Sequence, residues 1–232
     1  MEICLIWSRG QKMSLDSILI PNYSRKQETF NAFSHFIGII IALTIIVFGA
    51  VKLANGSINL FYFFGLLIFG ITALAVYTIS GVYHYLDKDN KHKKIFRVID
   101  HCTIYLLIAG TYTPICFVLM DIHIVGLIML IIEWVSAVIG IILKGFFFDK
   151  KAARVIAFFL YVAMGWLAVY STGFLYMPQM SFLFILLGGI TYTIGSILYA
   201  IGHKNTNFHC IFHVFVLVST IIQTIGVFYL FR

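Results

Sequence analysis

Seven stretches of the chain are almost continuously apolar, and short polar segments separate them. They cover residues 30–53, 60–84, 99–120, 123–143, 152–175, 181–201 and 208–231. Each runs to about 20–25 residues, enough at 1.5 Å per residue to cross a hydrocarbon layer of about 30 Å. A barrel strand needs only about ten residues of alternating pattern, so length excludes strands. The pattern predicts an all-α membrane protein built as a seven-transmembrane helix bundle. Residues 1–27 are polar apart from short apolar pieces around 3–7 and 18–20. They read as a poorly ordered extension, with 28–232 as one domain. The early apolar run is too short for a signal peptide and no small-residue cleavage site follows it. Met13 is an alternative start to Met1.

Composition agrees with a chain that lives in lipid. Of its 232 residues 61% are hydrophobic and 11% charged, and the mean hydropathy is +0.99. Soluble domains run nearer 45–50% apolar and about 25% charged. The four cysteines, Cys4, Cys102, Cys116 and Cys210, stand singly, so they form neither a CxxC metal motif nor a disulfide framework.

Charge sets the orientation. The net charge is +7. Arg9, Lys12, Arg25 and Lys26 precede the first stretch, and Lys88, Lys91, Lys93, Lys94 and Arg97 separate the second from the third. Lys144, Lys150, Lys151 and Arg154 follow the fourth, and Lys204 precedes the seventh. The opposite side holds Lys52 and Arg232, two of the 16 basic residues. By the positive-inside rule the N-terminus is cytoplasmic and the C-terminus outside. Short loops need this charge for topology, so it does not indicate nucleic acid; it faces anionic inner-leaflet lipids instead.

Ionisable groups inside the spans are costly and mark function. On this topology His35, Ser80, His84, Asp100, His209 and His213 all fall near the inner surface, although the first and last are 178 residues apart. His209 and His213, at i and i+4, share a helical face and can offer two nitrogens to one ion. The bland alternative for such a pair is hydrogen bonding between helices. His84 as a third imidazole makes a three-histidine set, which leaves tetrahedral zinc one open position. Asp100 then faces the water in that position, with Ser80, one turn from His84, beside it. His35 supports the site or bonds between helices. His101 points away from Asp100 and reads as a packing residue. His92 and His203 are loop residues, and His123 lies at the outer surface. Glu133, in mid-span, has no evident partner.

The ordered segments "NAFSHFIG", "SGVYHYL", "DHCTIYLLIAGTYTP" and "HCIFHVF" resemble the hemolysin III branch of the progestin and adipoQ receptor family, which is related to alkaline ceramidases. The resemblance runs from about residue 28 to the C-terminus. It implies a seven-helix bundle with a zinc ion near the inner surface, held by His84, His209 and His213. Asp100 would act on the zinc-bound water, with Ser80 beside it.

Three functions follow as expectations. The first is a zinc-dependent hydrolase cleaving an amide or ester bond in a membrane lipid. The second is a non-catalytic sensor or regulator of membrane lipid state. The third is a pore-forming cytolysin, which the bundle's integral character disfavours. No GxxxxGK[ST] or GxGxxG motif supports nucleotide binding. Abundant Ile, Phe and Lys fits a bacterial chain, with the plasma membrane as its expected location.

Overall fold

The computed structural model describes residue 15 and residues 18–171, 173–201 and 205–232. Cys4, Arg9, Lys12, His203, Lys204 and both candidate start methionines lie outside the described residues. Helix α1 spans Arg25–Ala54, α2 Leu60–Tyr85, α3 Lys93–Met120 and α4 Val125–Phe146. After α5 (Lys151–Gly165) and the single turn α6 (Leu167–Tyr170) comes a 3-10 turn, Gly173–Tyr176. Helices α7 (Gln179–Ile201) and α8 (Asn207–Leu230) complete the chain. Among the described residues, six helices are long and apolar enough to cross a membrane: α1, α2, α3, α4, α7 and α8.

Two helices begin well before their apolar stretches, and both extensions matter for the site. A capping box starts α1: the Gln27 N–H donates to Ser24 Oγ at 3.3 Å, and the Ser24 N–H donates to Gln27 Oε1 at 2.8 Å. Glu28 therefore sits in the first helical turn. Helix α3 starts inside the cationic loop, so Lys93 and Arg97 are helical residues facing defined neighbours.

The stretch 152–175 reads as one helix in the sequence but is broken in the structure. The backbone leaves helical geometry at Trp166, and no proline causes the break. Neighbouring side chains take up the freed backbone groups, as hydrocarbon requires. The Tyr112 hydroxyl donates to Gly165 O at 2.9 Å and accepts from the Ala168 N–H at 3.3 Å. Trp166 Nε1 donates to Thr193 Oγ1 at 3.1 Å, tying the break to α7.

Helices α1 to α4 pack each on the next, α7 packs on α8, and α8 closes against α1. The α1–α2 seam is close because Gly38 lies under the Tyr77 ring and Gly81 under the Phe36 ring; a Cβ at either would overlap the ring. Phe69, Tyr77, Ile115 and Met129 fill the interior, whereas Ile40, Val47, Ile71 and Val138 face outward as a lipid-facing surface should. Helix α5 packs on α3 and α4, with the Tyr105 hydroxyl donating to Ala157 O at 2.8 Å. A cavity of about 520 Å³ remains between α3, α5, α7 and α8.

Candidate metal centre

The first two turns of α8 carry His209 and His213 on its buried face, and the last turn of α2 carries His84. The three Nε2 atoms converge. His213 lies 2.8 Å from His209 and 3.0 Å from His84, and His84 lies 3.4 Å from His209. Ligands at about 2.0–2.1 Å from a tetrahedral zinc stand about 3.3–3.4 Å apart, so one pair has that spacing and the other two would open by about half an ångström or less to take the ion. All three imidazoles are buried.

Hydrogen bonds behind the rings determine which nitrogen faces the centre. His84 Nδ1 lies 2.6 Å from Glu28 Oε2. A carboxylate only accepts, so Nδ1–H donates and His84 Nε2 turns a lone pair inward. His213 Nδ1 lies 2.6 Å from His35 Nε2, and the same logic turns His213 Nε2 inward when His35 accepts. His209 Nδ1 has no partner among the described residues; its ring stacks on Tyr23 with centroids 5.0 Å apart. Burial pushes the Tyr23 phenol well above its ordinary pKa, so the ring covering the site is neutral. Lone pairs converging from three buried imidazoles are a cation's environment, and the nitrogen donor set fits zinc.

The candidate site residues singled out in the sequence have defined places. Ser80 Oγ lies 3.0 Å from His35 Nε2, and the Asp100 carboxylate interacts with the Ser80 hydroxyl. Asp100, Ser80, His35, His209 and His213 all line the 520 Å³ cavity, so two of the three clustered histidines border it. His101 turns its Nδ1 to Arg97 O at 2.8 Å. His123 is exposed and stacks on Tyr176. Glu133 is buried at 0% exposure, near Tyr112 and Cys116, and neither oxygen has a partner among the described residues.

Two members of the site were not evident from the spans alone. Glu28 bonds His84 with one oxygen and Lys93 with the other, at 2.7 Å. Lys93 also donates to Leu86 O at 2.6 Å and is 0% exposed, so it belongs to the bundle and not to the lipid-facing charge of its loop. The signal for Glu28 was its position seven residues before His35, two helical turns away on the same face.

A model of the haemolysin-III related family matches residues 23–224, nearly the whole bundle. The chain belongs to the hemolysin III family. Within it, the chain is 36% identical over 198 residues to a protein of Bacillus subtilis (strain 168) named "Hemolysin-3 homolog", covering 84% of this chain and 90% of that protein. It is also 36% identical over 200 residues to "Hemolysin-3" of Bacillus cereus, covering 83% and 86%. The family resemblance carried by the four sequence segments is thereby established, and the match includes all three histidines.

Proposed function

We propose that this hemolysin III family member is a zinc-dependent hydrolase of a membrane lipid, cleaving an amide or ester bond at the inner side of a bacterial plasma membrane. The observation that carries the reading is the convergence of three imidazole nitrogens, with His209 and His213 lining a large, mostly apolar cavity that also holds Asp100 and Ser80. His84, His209 and His213 would hold the ion. Bound there, zinc supplies Lewis acidity toward a carbonyl and brings the pKa of its water to about 7. Asp100 takes the proton from the attacking water and returns it to the leaving group. Ser80 orients Asp100 and His35, and Glu28 and His35 hold the ligand rings from behind. The cavity's apolar wall receives the acyl chain and excludes bulk water. In this reading the N-terminus is cytoplasmic, the C-terminus is outside, and α5, α6 and the 3-10 turn together make the remaining crossing.

The test is purified protein with its metal content measured, incubated with amide- and ester-linked lipids beside an Asp100→Ala control. Release of fatty acid by the wild type alone supports the reading. Bound zinc without turnover, in a strain whose lipid defect Asp100→Ala still rescues, replaces it with the regulatory one. Dose-dependent lysis of red cells by the purified protein would bring the relatives' name to bear instead.

A further inference from the structure

The lining of the 520 Å³ cavity has chemically different parts. One is the histidine cluster with Asp100. Another is cationic: Arg97, Lys144, Lys151 and Arg154 line the same cavity, with Arg97 one helical turn before Asp100. Farther along both helices, beyond Asp100 on α3 and beyond Arg154 on α5, the wall is apolar, formed by Ile104, Leu107, Ile108, Phe158 and Val162. None of the four cations has a carboxylate partner among the described residues. Arg97 and Lys144 instead lie over the buried ring of Phe148, at 5.4 and 5.9 Å from its centroid. Asp100 feels the field of Arg97 without bonding it, and Lys144 stands in the fields of both Arg97 and Arg154.

Charges that served only topology would need neither a cavity nor partial burial. Lys88 and Lys91 show that arrangement: they are away from the cavity, Lys91 exposed and Lys88 bonded to Asn22 in the loop region. Arg97 and Lys144 are half-buried and turned to the cavity wall. Four like charges around one mouth repel each other, and an anion there relieves the repulsion while accepting several charge-assisted hydrogen bonds. A small soluble anion would satisfy the mouth but leave the apolar wall unfilled. A neutral headgroup would fill the wall but leave the cations without a counter-charge.

We propose that the cavity takes a lipid with an anionic, phosphate-bearing headgroup. Its phosphate seats on Arg97 and Lys144, with Lys151 and Arg154 at the rim, and one acyl chain lies along the apolar wall with its linkage toward the histidines. The proposal rests on the lipid-hydrolase reading and narrows its substrate class.

The experiment uses full-length protein in a neutral detergent and fluorescent phosphatidylglycerol or phosphatidylcholine with matched acyl chains, read by polarisation. Phosphatidylglycerol should bind about tenfold tighter, because the two lipids share phosphate and acyl chains but the choline cation of phosphatidylcholine meets the four side-chain cations as a like charge. Arg97→Gln/Lys144→Gln should erase that preference. The exposed pair Lys151→Gln/Arg154→Gln, whose change does not touch the packed interior, should reduce it. Lys91→Gln should leave it intact, and millimolar inorganic phosphate should displace little lipid. Equal binding of the two lipids overturns the proposal while leaving the lipid reading standing. Loss of preference in Lys91→Gln to the same degree overturns it in favour of general surface charge. Displacement by inorganic phosphate alone overturns it in favour of a soluble anion, and binding of neither lipid removes the lipid reading itself.

Discussion

Glu28 Oε2 lies 2.6 Å from His84 Nδ1 while Glu28 Oε1 lies 2.7 Å from Lys93 Nζ. One carboxylate in the first turn of α1 thus orients a metal-facing imidazole on α2 and neutralises a fully buried ammonium at the start of α3. The two duties separate experimentally. Glu28→Gln should weaken metal binding by about 10–100-fold, because the ring loses its charged acceptor. It should also cost about 3 kcal/mol in stability, because Lys93 stays buried without its counter-ion. Adding Lys93→Met should restore the melting temperature but not the metal affinity, as thermal unfolding in detergent and metal titration would show.

Ligands and supporting residues should differ in kind. His84→Ala, His209→Ala and His213→Ala should each abolish bound zinc, measured as metal per chain by mass spectrometry. His35→Ala should retain it at saturating metal, with affinity reduced about 10–100-fold, since His35 touches only the rear nitrogen of His213.

Metal removal should loosen the bundle as well as inactivate it. An ion between α2 and α8 stabilises the folded state by mass action, by about 4 kcal/mol at a thousandfold excess over its Kd. A chelator should therefore lower the melting temperature of the wild type and leave that of His209→Ala/His213→Ala unchanged.

The break after α5 depends on one hydroxyl. Tyr112→Phe removes the partner of both Gly165 O and the Ala168 N–H, at a cost of about 1–3 kcal/mol for each buried group left unpaired. Thermal unfolding should shift downward, and hydrogen exchange should rise at 165–168 before it rises in α8.

Glu133 should respond in the opposite direction. Its two oxygens are buried without partners among the described residues, so Glu133→Met exchanges a poorly satisfied polar group for an apolar one of similar size. The variant should melt higher with unchanged zinc content; a lower melting temperature would mean that Glu133 has a polar partner in the membrane.

Much of this was legible in the chain itself, for identifiable reasons. His84, His209 and His213 could be grouped because charge in the loops fixes which helix ends share a depth, and i, i+4 spacing fixes a face. Glu28 and Lys93 were harder, because the apolar pattern marks where lipid contact begins and not where a helix begins. Capping at Ser24 and the early start of α3 carry both residues into the packed interior. The break at Trp166 was not legible either: the hydroxyl that takes up its freed backbone groups is on another helix, and within 152–175 only Gly165 stands at the position. The convergence of Arg97, Lys144, Lys151 and Arg154 on one cavity likewise depends on how α3, α4 and α5 lie together.

The chain order of the histidines has a consequence for biogenesis. One inward-facing nitrogen arrives with α2, and the other two arrive much later in the chain, on α8. The three nitrogens therefore cannot meet before α8 has been made, and an ion held by all three would load only after that. Glu28 and His84 pair within the first helical hairpin, and the packing of α8 against α1 brings the other two nitrogens to that pair.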